Sequence, residues 1–144
     1  MDYKKIAKAE LRDVPAMRTA MDNIKDRIRS LEMQKTSLRS TSDSTPVQGG
    51  GNRQEDRLLN LIVESERLRL SLTAHELRMK VIERGLAALS DQDRLILETF
   101  ARNRSGEAVN ILSDTLFLER TRVYQLWDEA LRRYTIAEFG LVDF

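Results

Sequence analysis

Residues 58–86 read LLNLIVESERLRLSLTAHELRMKVIERGL. Leu58, Leu61, Ser65, Leu68, Leu72, His75, Met79, Ile82 and Leu86 are separated alternately by three and four positions. That spacing returns to one face of an α-helix, and sustained over four heptads it makes an a/d seam that packs against another helix. Leu59, Ile62, Leu70 and Leu77 widen the stripe. About thirty residues at 1.5 Å each span about 45 Å, well beyond the usual helix of a globular domain. The decision for the whole chain is therefore an all-α fold built around long helices.

A second seam lies upstream. Val14, Met17, Met21, Ile24, Ile28 and Leu31 repeat the same alternation, Leu38 continues it and Lys35 interrupts it. Pro15 suits the first turn of a helix, where its missing amide hydrogen costs nothing. The spacing and the proline together predict a helix over 15–38, with Met1–Asp13 as a separate short segment. Between the seams, residues 40–54 carry Ser, Thr, Asp, Pro46 and the glycines 49–51, which read as a flexible loop. It is not a phosphate loop, since no Gly-Lys-Ser/Thr follows and no strand precedes. Two seams flanking a loop predict a long antiparallel helical hairpin over 1–86. So narrow a hairpin invites pairing with a second copy, and a homo-oligomer is expected. Ser65 within the seam either marks register or is simply a small residue that fits. His75 has no neighbouring nitrogen or sulfur ligand and reads as a packed polar residue.

After Gly85 the helices shorten, which sets a second domain over 87–144. Ser90-Asp91-Gln92-Asp93 is a capping-box variant: Ser90 accepts a first-turn amide and Asp93 reaches back. The helix it opens runs to about Arg102, with Leu95, Ile96, Thr99 and Phe100 inward. Asn103–Gly106 is a turn, Glu107–Thr115 a second helix, and Phe117-Leu118 a break. A third helix starts near Glu119, with Val123, Leu126, Ala130, Leu131 and Tyr134 on one face. Two short helices joined by a tight turn make a helix-turn-helix, whose second helix can enter the DNA major groove. Its inward set would be Val109, Leu112, Leu116, Leu118, Val123 and Leu126. Arg120, Thr121, Arg122, Tyr124 and Gln125 would project from the start of the last helix. Arginine can take guanine O6 and N7 together, and glutamine adenine N6 and N7. Arg102 and Arg104 would touch phosphates, which positions a protein without specifying sequence. The same residues also suit a helical protein-interaction module with a solvated arginine face, such as an antirepressor or a modulator of a host factor.

Composition narrows the classes further. The 144 residues contain no cysteine and one histidine, so disulfides and Cys- or His-based metal sites are excluded, and no cofactor is implied. No nucleophile–base pair or phosphate loop supports an enzyme. No apolar run is long enough to span a bilayer, and the first residues lack a signal peptide. A cytoplasmic protein without membrane association is expected. Net charge is +1, divided as +4 over residues 1–85 and −3 over 86–144. Nonspecific coating of nucleic acid is excluded, and any DNA contact must come from a local patch.

Three segments carry a family resemblance. Leu89–Leu97, Ala108–Ser113 and Arg120–Arg133, which closes on Ala-Leu-Arg-Arg, resemble region 4 of sigma-70-type factors. With Thr45–Gly50, Glu55–Leu58 and the long helix, the chain is similar over nearly its whole length to small phage regulators of the ArpU/RinA late-transcription type. The resemblance implies a sequence-specific regulator of late packaging, structural or lysis operons, acting on double-stranded DNA with host RNA polymerase. It puts Arg120, Arg122 and Gln125 at the DNA. Tyr124 stands where sigma factors often have Arg, and Trp127 where they often have Glu.

Overall fold

The computed structural model describes residues 1–42 and 51–141. Among them the chain is entirely helical and without strands. Five helices follow in order: α1 (Tyr3–Ser42), α2 (Gly51–Ala87), α3 (Asp91–Arg102), α4 (Ser105–Leu116) and α5 (Arg120–Phe139). The loop expected over 40–54 lies mostly outside the described residues. At its margins α1 runs on to residue 42 and α2 already begins at 51.

The first correction concerns Met1–Asp13, which is not a separate segment. One helix runs from Tyr3 through Pro15, and the proline sits in its interior. An interior proline removes one i→i−4 hydrogen bond and costs about 3 kcal/mol or more. Leu11 and Val14 are buried on that stretch, at about 1.5–3 kcal/mol each. Packing therefore outweighs the proline. Leu11 and Ala7 continue the stripe backwards from Val14 by a three and then a four, with one three repeated at Val14.

The described chain gathers into two compact units: residues 1–15 with 78–144, and residues 16–77. A sequence boundary after residue 86 separates the long helices from the short ones. By contrast, the contacts group the first turns of α1 and the last turns of α2 with the short helices.

Within 16–77, Met21, Ile24, Ile28 and Leu31 of the seam positions are half-buried, and Met17 and Leu68 are buried. Ser65 is fully buried, and its hydroxyl donates to Glu32 Oε1 at 2.8 Å. Its partner, Glu32, is one of the charged residues that flank the upstream seam. Glu32 also accepts from Lys35 and Arg69 at 2.8 and 2.7 Å. Those cations, Lys35 foremost, and the Ser65 hydroxyl hold its carboxyl down at about 2. His75 is half-buried, and its Nδ1 lies 2.7 Å from the Ser71 carbonyl. A carbonyl can only accept, so Nδ1 carries the proton.

In the other unit, Ile96, Phe100, Ala108, Val109, Leu112 and Val123 form a core, with Leu116, Leu118, Leu126 and Trp127 packed on it. Ser90 caps α3 by accepting the Asp93 amide at 3.2 Å. The reciprocal half of the expected capping box is absent, because both Asp93 carboxylate oxygens accept from Arg133 of α5 at 3.0 and 3.1 Å. Asp93, Ile96, Leu97 and Phe100 are the buried residues of α3. Leu95, expected inside, is instead 40% exposed. Arg94 donates to the Leu89 and Leu86 carbonyls at the end of α2, satisfying acceptors that a helix C-terminus leaves open.

Candidate nucleic-acid interface

The chain turns between α4 and α5 within three residues. Phe117 takes the left-handed conformation (φ 56°, ψ 45°) as the C-cap of α4, and its side chain is 92% exposed. A non-glycine residue there costs about 1–3 kcal/mol. Local hydrogen bonds hold it. The Phe117 and Leu118 amides both reach the Ser113 carbonyl, and the Ser113 hydroxyl donates to the Leu118 carbonyl at 2.5 Å. Glu119, in extended conformation, then opens α5.

Burial alternates sharply at the start of α5. Val123 is fully buried and Leu126 packs on the core. Arg120, Thr121, Arg122, Tyr124 and Gln125 are all exposed. The polar ends of Arg120, Arg122 and Gln125 are held by surface partners. Arg120 Nη1 donates to Asn110 Oδ1 of α4 at 2.8 Å. Arg122 Nη1 donates to Gln125 Oε1 at 3.2 Å and lies 3.8 Å from Glu129. Exposed pairs of this kind are worth about 0–1 kcal/mol, so a base edge can displace them. Tyr124 is tilted over Phe100 and Trp127, with ring centroids 6.1 and 6.5 Å away.

Arg102 and Arg104 sit apart from that face. They flank Asn103 in the turn between α3 and α4, both exposed, and line a cleft of about 540 Å³. Trp127 is a packing residue. It stacks on Phe100 at 3.9 Å with the rings nearly parallel, and Lys8 Nζ lies 4.4 Å from its ring centroid. Lys8 and Arg12 of α1 line the same cleft. The sequence reading left both outside the candidate site because Pro15 set the start of the helix. The backward continuation of the seam through Leu11 and Ala7 is the signal that would have drawn them in.

A second cluster lies in the same unit. Glu10 Oε2, Glu138 Oε2 and Tyr134 Oη are buried without a hydrogen bond of ordinary geometry, while Glu10 Oε1 is 3.4 Å from Arg78 Nη2. Burial, and then the neighbouring Glu10 carboxyl, push Glu138 up to about 7. Burial also raises the Tyr134 phenol, with Glu138 beside it adding to the effect.

Among the described residues no group of three or more His, Asp or Glu side chains could hold a metal ion, and no helix is long and apolar enough to cross a membrane. No model of a protein family matches this chain, and neither does a curated protein or a solved structure.

Proposed function

We propose that the protein is a sequence-specific DNA-binding transcriptional regulator of a phage or prophage, acting on late operons with host RNA polymerase. In this reading α3, α4 and α5 are a helix-turn-helix domain and α5 is its recognition helix. The observation that carries the reading is the first turn and a half of α5. Five side chains able to contact bases or phosphates, Arg120, Thr121, Arg122, Tyr124 and Gln125, are exposed together there, while Val123 anchors the helix from beneath. A tight turn after α4 presents that end, as major-groove reading requires. The likeness to sigma region 4 and to the ArpU/RinA regulators points to the same class.

The long helices serve assembly in this proposal, as an antiparallel hairpin that pairs with a second copy. Leu59, Val63, Leu70 and Leu77 of α2 are 57%, 63%, 73% and 60% exposed. Their spacings of four, seven and seven make a second apolar stripe beside the packed seam, which supports oligomerisation.

The test is selection of duplexes from a random library by the full chain, followed by titration of the selected site. Arg120→Ala and Arg122→Ala should each weaken binding by about 1–3 kcal/mol, or about 5- to 150-fold, with helicity unchanged. Failure to enrich any sequence, together with DNA-independent capture of one purified host transcription protein, would replace this reading with that of an interaction module.

A further inference from the structure

We infer that the cleft between the first turns of α1 and the α3–α4 turn is a binding site for a phosphate group, filled by a backbone phosphate of the bound duplex. The identity of that occupant rests on the DNA-binding reading above. The preference of the cleft for phosphate does not.

The inference starts from how the cations of this unit are used. Arg133 is committed to Asp93, Arg94 to Asp91, Arg78 to Glu10, and Lys4 to Asp128. Arg12, Arg102 and Arg104 have no acidic partner among the described residues. All three line one cleft, with Lys8 as the fourth cation, and no Asp or Glu is among its lining residues. Four like charges around one recess repel one another, and helical surfaces usually intersperse acids to relieve this. A dianionic or monoanionic group with several acceptor oxygens relieves it here. Guanidinium forks match phosphate oxygens in pairs.

The walls strengthen the field. Leu11, Leu97, Phe100 and Leu131 are apolar, buried and part of the lining, and low-dielectric walls focus charge on an occupant. Arg104 is the N-cap of α4 and makes no side-chain cap bond. Ser105, the first residue of that helix, also borders the cleft. Trp127 and Leu131 place the cleft beside α5, one to two turns beyond Tyr124 on the same helix. A phosphate held there would tie the duplex to the recognition helix through residues 8 and 12, far from it in sequence.

Trp127 is the only tryptophan of the chain and borders the cleft, so its fluorescence reports occupancy. Inorganic phosphate, exchanged against chloride at constant ionic strength, should give a saturable change in the wild-type chain. The midpoint should rise at least tenfold in Arg12→Gln combined with Arg102→Gln, with circular dichroism unchanged. A change that never saturates, or the same midpoint in the variant, would overturn the phosphate site. The second measurement is the salt dependence of binding to the selected duplex. Arg12→Gln alone should lower the slope of log K against log salt by about one, without altering sequence preference. An unaltered slope, with phosphate binding still lost in the double variant, would overturn the duplex as occupant and leave a free phosphate ligand. A wild-type chain that binds no duplex would overturn the proposed function, while the fluorescence titration would still decide the cleft.

Discussion

Gly85 illustrates how much a single position in this chain can depend on what lies opposite it. A Cβ there would stand 2.8 Å from Tyr134 Cε2, and the Tyr134 ring is fully buried, so it cannot swing aside. Helix propensity alone favours alanine over glycine by about 1 kcal/mol. Overpacking of a fixed ring costs about 1–3 kcal/mol and wins. Gly85→Ala should therefore lower stability by up to about 2 kcal/mol in chemical denaturation, against the sign expected for an open helix surface. The carboxyl cluster nearby sets a second expectation. Glu138 ionises near 4.5 in the unfolded chain and near 7 in the fold, so the folded state holds an extra proton between those values. Stability should then fall as pH rises from about 4.5 to 7. Glu138→Gln should flatten that slope in urea titrations at a series of pH values. Glu32 runs the other way: its stabilising contribution is present above 4.5 and lost as pH falls towards 2. At this scale the sequence was legible where a residue acts on its neighbours. Ser90 caps the Asp93 amide as the local motif predicts. The engagement of Asp93 by Arg133, forty positions away, is invisible to any local pattern.

At the scale of elements, periodicity was a good guide to the two long helices and a poorer one to their ends. Alternation of threes and fours runs along both long helices, but a proline suggests a helix start where burial of Leu11 and Val14 carries the helix through it. The break at Phe117 was legible because the apolar pattern changes there, while its left-handed backbone was not, since no glycine marks it. The exposed stripe on α2 was present in the sequence as widening of the seam. Only the fold separates its outward members, Leu59, Leu70 and Leu77, from half-buried Ile62. If that stripe pairs copies, Leu70→Lys with Leu77→Lys should shift the chain to a monomer in sedimentation equilibrium, with little loss of helicity. An unchanged mass would remove the stripe from the interface.

For the molecule as a whole, the five base-reading candidates were legible as a group from the last helix alone, because amphipathicity separates Val123 and Leu126 from their neighbours. The role of the first fifteen residues was not, because it depends on contacts with the far end of the chain. Tyr3 lies against Phe139 with ring centroids 5.1 Å apart, Lys4 pairs with Asp128 at 2.8 Å, and Lys8 covers Trp127. Removing residues 1–14 should lower the melting temperature of the unit formed with 78–144 and shift Trp127 emission to the red. The same temperature and spectrum in the truncated chain would mean that α3, α4 and α5 are self-sufficient.

That union of the chain's two extremes has a consequence for how the protein is made. Residues 1–15 leave the ribosome well before residues 78–144, so the partners of Ala7, Leu11 and Val14 in their unit are still untranslated when they emerge. The segment 16–77 can close while synthesis continues, but the other unit cannot finish until residues 78–144 have also been made. While residues 16–77 are being made, the stretch before them waits with its oily side uncovered for the stretch after them.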